Sequence, residues 1–333
     1  MTGTSERGWV IAGGIAALAI VAAILAVAGV FSGDDDPPAV DSDFGSIAVP
    51  EPGPPPPQPK VQRFEVSGRP DTSSAGAGYV WATDSLDGTL QRINPGSKRP
   101  IAVDVAGFPT DVSAAEGAAW LALADRGAVQ RVSGTEGAGN PIKVNDFPFQ
   151  IAAGEGAVWA MSQTSVERID PGTSSPGESV ELDRDLAAIA AGEGGIWVVR
   201  GNNEVLKLDP SSGERSATIK VPGAFNVTVG ESAAWALGAG GGDGSGGTLT
   251  RIDPSGGAGG DPIPVVQAVD VAAGLGFVWI VDTAGKLTRF DPATGATVGK
   301  PVPVGREPLS VSVGEGSAWV AAAGDGVVYR VTP

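Results

Sequence analysis

Apolar and polar positions alternate in a pattern that repeats from about residue 61 to the C-terminus. Each repeat opens with an alternating apolar strand, then a Gly-containing turn, then a second apolar strand that carries a Trp, as in IAAGEGAVWA at 151–160. A third strand follows and often ends in Asp-Pro, as in VERIDP at 166–171, before a weaker fourth strand. Gly permits the positive φ of a tight hairpin and Pro ends a strand, so each repeat predicts four antiparallel strands.

The Trp residues of this region mark the length of the repeat. Their successive spacings are 39, 39, 38, 38, 44 and 40 residues, for Trp81, Trp120, Trp159, Trp197, Trp235, Trp279 and Trp319. The one long interval contains the Gly-rich run GAGGGDGSGG at 238–247, which we interpret as a loop insertion. A period near 40 residues with four short strands is typical of a β-propeller blade. The sequence therefore predicts an all-β fold, a seven-bladed β-propeller of four-stranded blades over residues 61–333.

The two ends of this region predict how the ring closes. The last repeat stops at VVYRVTP, residues 327–333, which is its third strand. The segment FEVSGRP at 64–70 resembles VPVGREP at 302–308, where a fourth strand leads into the next repeat. We therefore expect residues 61–67 to supply the missing fourth strand of the last blade, which would leave no open edge between the first and last blades.

Two residue types recur in the repeats and are interpreted as structural. The Trp side chains are expected to fill the gaps between neighbouring sheets. A basic residue stands near the end of each third strand, and we expect its aliphatic stem to cover apolar surface while its head pairs with a neighbouring acid; these residues are Arg92, Arg131, Arg168, Lys207, Arg251, Arg289 and Arg330. The acids of the hairpins are expected to be solvated turn residues, namely Glu116, Glu155, Glu193, Glu231 and Glu315.

The N-terminal part of the chain predicts an attachment to a membrane. Residues 9–31 contain no charge, and 23 apolar-rich residues in a helix can span the hydrocarbon of a bilayer. Arg7 precedes this run and three Asp follow it at 34–36, which predicts a short cytoplasmic tail (1–8) and an extracytoplasmic C-terminal part of a single-pass protein of the cell membrane. Residues 32–60 contain nine Pro and are expected to form a disordered stalk. The alternative is a signal peptide cleaved after Ala28.

Composition excludes several kinds of chemistry. The chain has no Cys and no His, which excludes thiol catalysis, Ser-His-Asp triads and His or Cys metal ligands. The formal net charge of −16 argues against a nucleic-acid partner, because phosphate binding rests on Lys and Arg. The abundant Ala, Gly and Pro, with more Arg than Lys, indicate a bacterial source with a GC-rich genome.

Candidate binding residues lie where the repeats differ. One face of the predicted ring, here called the variable face, carries the turns between second and third strands and the connections between blades. The opposite face, here called the uniform face, carries the repetitive hairpins and Asp-Pro turns. Variable loops on a rigid scaffold are where binding residues concentrate. The candidates on the variable face are Asp84, Phe108, Asp111, Asp125, Arg126, Phe149, Gln150, Gln163, Arg184, Arg200, Asn202, Asn226, Asp282 and Arg306. Phe108, Phe147 and Phe225 could instead cap the core.

The repeats resemble those of a known family. LTRFDPATG at 287–295 and VGREPLSVSVGEGSAWVAAAGDGVVYRVTP at 304–333 are similar to the repeats of the virginiamycin B lyase (streptogramin lyase)-like and YVTN-type seven-bladed propellers. The resemblance covers residues 61–333 and implies a seven-bladed propeller. The lyases of that family use a catalytic His and a magnesium ion, and this chain contains no His.

Two functions are therefore expected, and the first is favoured. The first is a membrane-anchored extracytoplasmic propeller, not an enzyme, that binds a protein, peptide or cell-wall glycan as a scaffold or sensor and needs no cofactor. The second is a lyase-like or other metal-assisted enzyme that uses carboxylates in the central channel. Its cofactor would be a divalent cation held by oxygen ligands alone, for which Asp84, Asp111, Asp125, Asp282 and Asp325 are the candidates.

Overall fold

The repeat folds into seven antiparallel sheets arranged as the blades of a β-propeller, as the sequence predicts. The computed structural model describes residues 58–97, 99–240, 246–257 and 259–333. Within them, six sheets are built from consecutive strands, and the seventh combines strands from both ends of the described chain. The prediction of an all-β seven-bladed propeller with four-stranded blades is confirmed.

The first strand of the described chain belongs to the last blade, and blades 1 to 3 follow it. The closing strand is β1 (Lys60–Glu65). Blade 1 contains β2 (Thr72–Gly76), β3 (Tyr79–Asp84), β4 (Thr89–Ile93) and β5 (Ile101–Val103). Blade 2 contains β6 (Pro109–Ala115), β7 (Ala118–Leu123), β8 (Ala128–Ser133) and an outer strand in two pieces, β9 (Gly137–Ala138) and β10 (Ile142–Lys143). Blade 3 contains β11 (Gln150–Gly154), β12 (Ala157–Met161), β13 (Ser165–Asp170) and β14 (Ser175–Glu181). A short 3-10 turn, Ala124–Arg126, joins β7 to β8.

Blades 4 to 7 complete the ring. Blade 4 contains β15 (Leu186–Gly192), β16 (Gly195–Arg200), β17 (Glu204–Leu208) and β18 (Arg215–Lys220). Blade 5 contains β19 (Ala224–Gly230), β20 (Ala233–Gly238), β21 (Gly247–Ile252) and β22 (Ile263–Val265). Blade 6 contains β23 (Ala268–Gly274), β24 (Phe277–Asp282), β25 (Lys286–Phe290) and β26 (Val302–Pro303). Blade 7 contains β27 (Pro308–Gly314), β28 (Ser317–Ala322) and β29 (Val327–Thr332).

Blade 7 is completed by β1, which pairs antiparallel with β29 from Lys60 opposite Thr332 to Glu65 opposite Val327. Phe64 of β1 is buried, and its ring centroid lies 5.5 Å from that of Trp319. This confirms that the segment before the first repeat supplies the fourth strand of the last blade. Because β29 runs toward the uniform face, β1 begins at that face and runs toward the variable face.

Each Trp lies at the junction between two blades, as expected. The seven Trp side chains are at most 1% exposed, and each belongs to a separate apolar cluster. Trp81 of blade 1, for example, packs with Val112, Ala119 and Leu121 of blade 2. Small Ala side chains on the facing strands make room for the indole. An aromatic side chain that buries roughly 150–250 Å² contributes about 4–6 kcal/mol of transfer free energy at ~25 cal/mol per Å².

The repeated basic residues lie directly opposite the Trp residues across the β-ladder, as in Trp120 opposite Arg131. Among the described residues, none of the seven forms an ion pair, so the expectation that their heads pair with acids is wrong. Most place the charge over an aromatic ring instead; the Arg330 guanidinium carbon lies 5.2 Å from the centre of the Trp319 ring. Arg330 also donates to the Pro95 carbonyl of blade 1, 3.1 Å away.

The hairpin acids connect neighbouring blades; Glu116 and Glu155 are exposed as expected, whereas Glu193, Glu231 and Glu315 are half-buried. The Glu155 carboxylate accepts a hydrogen bond from the Gly194 N–H in the hairpin of blade 4, at 3.0 Å. Equivalent bonds run from Gly156 to Glu116, from Ser232 to Glu193, from Gly276 to Glu231 and from Gly78 to Glu315. Blades 1 and 6 carry Ala77 and Leu275 at this position and make no such bond.

The predicted anchor at 9–31, and the stalk up to residue 57, lie outside the described residues. Within the described part of the chain, no helix has the length and apolarity that a membrane span needs.

Candidate binding site on the variable face

The candidate residues fall into a channel group, a groove group and a set of separate turns. All of them lie at or near the variable face, because each stands between the second and third strands of a blade or close to the start of a first strand. The two groups each line a cavity, so the fold brings together eight of the fourteen candidates in two places.

A ring of mostly polar side chains surrounds the central channel close to the variable face. It occupies the same position in every first strand, seven residues before the second strand begins. Its members are Thr72, Asp111, Gln150, Ala188, Asn226, Asp270 and Ser310. All except Ala188 line a cavity of about 350 Å³ in the channel. Three of the predicted residues, Asp111, Gln150 and Asn226, therefore share one site, and Asp270 joins them although the sequence analysis did not select it.

The ring side chains also bind the blades to one another. Asp111 accepts the N–H of Ile151 from blade 3 at 2.9 Å, and Gln150 accepts the N–H of Ile189 from blade 4 at 3.1 Å. Asp270 accepts the N–H of Val311 from blade 7 at 2.7 Å. Because these backbone donors would otherwise face the channel unpaired, the ring has a structural role in addition to any role in binding.

The channel changes the ionisation of its two acids. Burial raises the pKa of Asp111 to about 7, against the lowering effect of the N–H groups of Ile151 and Val112, while the charge of Asp270 adds to the rise. Burial likewise raises the pKa of Asp270 to about 6. Loss of solvation disfavours the charged form of a carboxyl group. Near neutral pH the two carboxyl groups of the ring therefore change protonation state.

The second cavity is a groove on the variable face between blades 3 and 4. One part of about 710 Å³ is lined by Phe149, Gln163 and Arg184, and an adjoining part of about 490 Å³ is lined by Arg184, Arg200 and Asn202. Five of the fourteen predicted residues therefore line one groove. Phe149 packs on the core beneath it, whereas Gln163, Arg184 and Asn202 are exposed.

The loop that carries Arg184 is held in an unusual backbone conformation. Asp183 and Asp185, on either side of it, have φ values of 69° and 65°, which side chains other than Gly rarely adopt. Backbone hydrogen bonds fix both ends of the loop: Leu182 donates to Thr164, and Leu186 donates to Gln163. Arg184 makes no ion pair within the described part of the chain. The fold thus presents the Arg184 guanidinium from a loop that backbone hydrogen bonds hold in place.

Arg200, by contrast, is held by acids. Its guanidinium lies 2.9 Å from the carboxylate of Asp183 and 2.6 Å from that of Glu204. Hydrogen bonds from Lys220 and then from Arg200 lower the pKa of Glu204 to about 2. Arg200 therefore supports the wall of the groove, and Arg184 is the cation that is open to a ligand.

The remaining candidates lie in separate turns. Asp84 is buried and accepts the N–H groups of Arg69 at 2.6 Å and of Leu86 at 3.0 Å. Asp282 accepts the N–H of Lys286 at 3.0 Å. These two carboxylates stabilise the turns between second and third strands.

Three more candidates are engaged with nearby residues. Asp125 accepts the N–H of Phe108 at 3.0 Å and lies 3.2 Å from Arg126, whose side chain is exposed. Arg306 pairs with Asp325 at 2.8 Å. Phe108 is exposed, as is Phe147, while Phe225 is partly buried against the core between blades 5 and 6. Of the three Phe residues, only Phe225 fits the interpretation that they cap the core.

The variable face also exposes apolar side chains, of which only Phe108 is among the binding candidates predicted from the sequence. Eight large apolar side chains are exposed in the described part of the chain, and five of them lie on this face: Leu86, Phe108, Phe147, Val266 and Leu309. Leu86 and Val266 are each 74% exposed. A large apolar residue in a turn, where no β-ladder requires it, is the signal that could have identified Leu86 and Val266.

No group of three or more Asp or Glu side chains in the described residues is arranged to hold a metal ion. The set expected for a divalent cation is dispersed: Asp84, Asp125, Asp282 and Asp325 stand in different turns, and Asp111 stands in the channel. The geometry therefore does not add support for the metal-assisted alternative.

Comparison with solved structures supports the propeller fold. The chain is similar to a structure described as hydrazine synthase of Kuenenia stuttgartiensis, with a TM-score of 0.69, 13% sequence identity, and coverage of 81% of this chain and 97% of that one. It is also similar to the WD40 domain of Neurospora crassa Pan2, with a TM-score of 0.64, 12% identity, and coverage of 80% and 89%. At these identities the likeness shows the fold alone. The chain matches no protein-family model and no curated protein.

Proposed function

We propose that the chain is a membrane-anchored, extracytoplasmic β-propeller that binds a protein or peptide of the cell envelope, or a cell-wall glycan, through its variable face. Two observations carry this proposal: exposed apolar side chains are distributed around that face, and the groove between blades 3 and 4 presents Arg184. Aromatic residues and Arg are enriched at protein-binding surfaces, and this face exposes Phe108, Phe147 and Arg184. They favour a protein or peptide over a glycan.

The uncharged run at 9–31 and the Pro-rich segment that follows it support the anchoring part of the proposal. The closing strand β1 starts at the uniform face. We propose that the variable face is turned toward the envelope. The chain would act as a scaffold or sensor, with its partner carrying any signal across the membrane.

The likeness of residues 287–295 and 304–333 to virginiamycin B lyase-like repeats supports a common fold and is not proposed to extend to the lyase reaction. A second candidate, an enzyme that uses carboxylates in the channel, is favoured by one observation: the pKa values of Asp111 and Asp270, about 7 and about 6. Groups that titrate near neutral pH suit general acid–base catalysis.

The binding proposal is tested by affinity capture of envelope components with three forms of the full chain. These are the unaltered protein, Arg184→Glu in the groove, and Arg215→Glu as the matched control on the exposed outer strand β18. A partner of the variable face is retained by the unaltered protein and by Arg215→Glu and is lost with Arg184→Glu. Co-sedimentation with purified cell-wall sacculi tests the glycan in the same way. Equal retention by all three forms would contradict the proposal.

The location is tested by Cys labelling, since the chain contains no Cys of its own. Single-Cys variants are made at Asp125, on the variable face, and at Glu155, on the uniform face, and intact cells are treated with a membrane-impermeant maleimide. We expect labelling at Asp125→Cys to exceed that at Glu155→Cys. Equal labelling would refute the orientation, and labelling only after cell lysis would refute the extracytoplasmic location.

A further inference from the structure

Arg168 of blade 3 differs from the six basic residues at the equivalent position in the other blades. Each of those six places its charge 5.0–6.0 Å from the centre of an aromatic ring. Four of them also donate a hydrogen bond to a backbone carbonyl; these four are Arg92, Lys207, Arg251 and Arg330. Within the described residues, Arg168 makes neither contact and forms no ion pair. Its buried Nε–H has no acceptor in the described part of the protein, which is also true of Arg131 and Arg289, but those two guanidinium groups lie over aromatic rings.

Arg168 also lines a cavity of about 290 Å³ in the outer cleft between blades 3 and 4, close to the uniform face. Trp159 and Val180 supply apolar lining, and Ser211 and Ser212 of the β17–β18 turn supply polar lining. The pairing of β13 with β14 is irregular between Glu167 and Ile169, opposite the Gly177–Glu178 segment. A β-bulge of this kind can redirect a side chain. The cleft thus combines a free guanidinium donor with an apolar wall.

We propose that this cleft binds a small organic monocarboxylate, with the carboxylate on the Arg168 guanidinium and the apolar body against Trp159 and Val180. A planar guanidinium is the donor best matched to a carboxylate, since it can make two parallel hydrogen bonds. The volume lies near the lower end of the roughly 300–1,000 Å³ found for small-molecule sites. The site therefore suits a single small molecule and is separate from the surface proposed for the envelope partner.

The acids around Arg168 restrict the charge of the ligand. Glu178 lines the cavity and is exposed, and Asp170 lies two residues from Arg168 on the same strand. Asp170 is already engaged, because its carboxylate accepts the N–H groups of Gly172 and Thr173, both at 2.8 Å. A second negative charge on the ligand would be repelled by both acids. We therefore expect a monocarboxylate to bind more tightly than a dicarboxylate, and a neutral analogue to bind least.

The test is isothermal titration calorimetry of the full chain in detergent with benzoate, benzamide and isophthalate. We expect benzoate to bind, isophthalate to bind more weakly, and benzamide not to bind measurably. Arg168→Gln should weaken benzoate binding at least about tenfold, because one charge-assisted contact is worth that much. Arg168→Lys keeps the charge without the planar fork and should weaken it to a smaller extent.

Arg131→Gln is the matched control, since Arg131 stands at the same position in blade 2 but lies over the Trp120 ring. Its benzoate affinity should equal that of the unaltered protein, and thermal unfolding establishes that both Gln variants are folded. The proposal is overturned if benzamide binds as tightly as benzoate, if Arg168→Gln retains the affinity, or if Arg131→Gln loses it equally. Absence of benzoate binding tighter than about 10 mM also overturns it. If Arg168→Gln does not fold, Arg168→Lys is used in its place, and unchanged benzoate affinity in that variant overturns the proposal.

Discussion

The pH dependence of stability is expected to depend strongly on Asp111. In the folded protein burial raises the pKa of this carboxyl group to about 7, from a reference value of 3.8. The folded state therefore holds the proton more tightly than the unfolded state does. The free energy of unfolding should consequently fall as the pH rises from about 4 to about 7, and it should level off above that.

The magnitude follows from the size of the shift. A difference of about three pKa units corresponds to at most about 4 kcal/mol of stability lost across this pH range, at 1.36 kcal/mol per unit. Asp111→Asn removes this ionisation. The two carboxyl oxygens accept the N–H groups of Ile151 and Val112, and both keep acceptor capacity when the group is protonated, whereas the amide nitrogen of Asn cannot accept. At low pH the free energy of unfolding of the variant should therefore be about 1–3 kcal/mol below that of the unaltered protein. The difference should shrink as the pH rises, because only the unaltered protein loses stability through ionisation of Asp111.

The assay is urea unfolding at several values between about pH 5 and about pH 8, with Trp fluorescence as the signal because the seven propeller Trp side chains are buried. Asn226→Asp is the complementary variant, since it places a third carboxylate beside Asp270, to which Asn226 donates at 2.6 Å. It should steepen the loss of stability with pH. Parallel pH profiles for Asp111→Asn and the unaltered protein would refute the reasoning.

Two further predictions concern the closure of the ring and the links between blades. Phe64→Ala in the closing strand should cost about 3–5 kcal/mol of unfolding free energy because it empties a buried site against Trp319, while Val61→Ala on the exposed side of the same strand should cost little; equal losses in urea unfolding would contradict this. Glu155→Ala should cost about 0.5–1.5 kcal/mol through loss of the hydrogen bond from Gly194, and Glu155→Gln, which keeps an acceptor, should cost less. An equal loss in both would show that the hydrogen bond is not the cause.

The length and number of the repeats were sufficient to predict the blades and the closure of the ring. The spacing of the Trp residues follows from the length of a blade. The last repeat lacks a fourth strand at the C-terminus, and an additional strand precedes the first repeat, so the place of β1 in the last blade could be predicted from the sequence. The partner of each repeated basic residue was not predictable in the same way. It depends on which atoms face one another across the ladder and between blades, as for Arg330 with Trp319 and Pro95.

The candidate sites were predictable only in part. Sequence differences between blades selected residues that meet in the channel and in the groove, such as Gln150 and Arg184. Asp270 was missed although it is the third residue of its first strand, AVDVAAG, as Asp111 is in PTDVSAA, so alignment of the first strands could have identified it. Arg200 was selected as a binding residue, whereas neighbouring acids hold its guanidinium in the wall of the groove.

Contact between the variable face and the partner can be measured by site-specific photo-crosslinking in intact cells. Asn202→Cys in the groove and Glu136→Cys in an exposed turn of the uniform face each carry one benzophenone maleimide, since no other Cys is present. We expect a defined crosslinked product from the Asn202 position that Arg184→Glu abolishes, and none from the Glu136 position. The same product from both positions, or a product only from the Glu136 position, would contradict it.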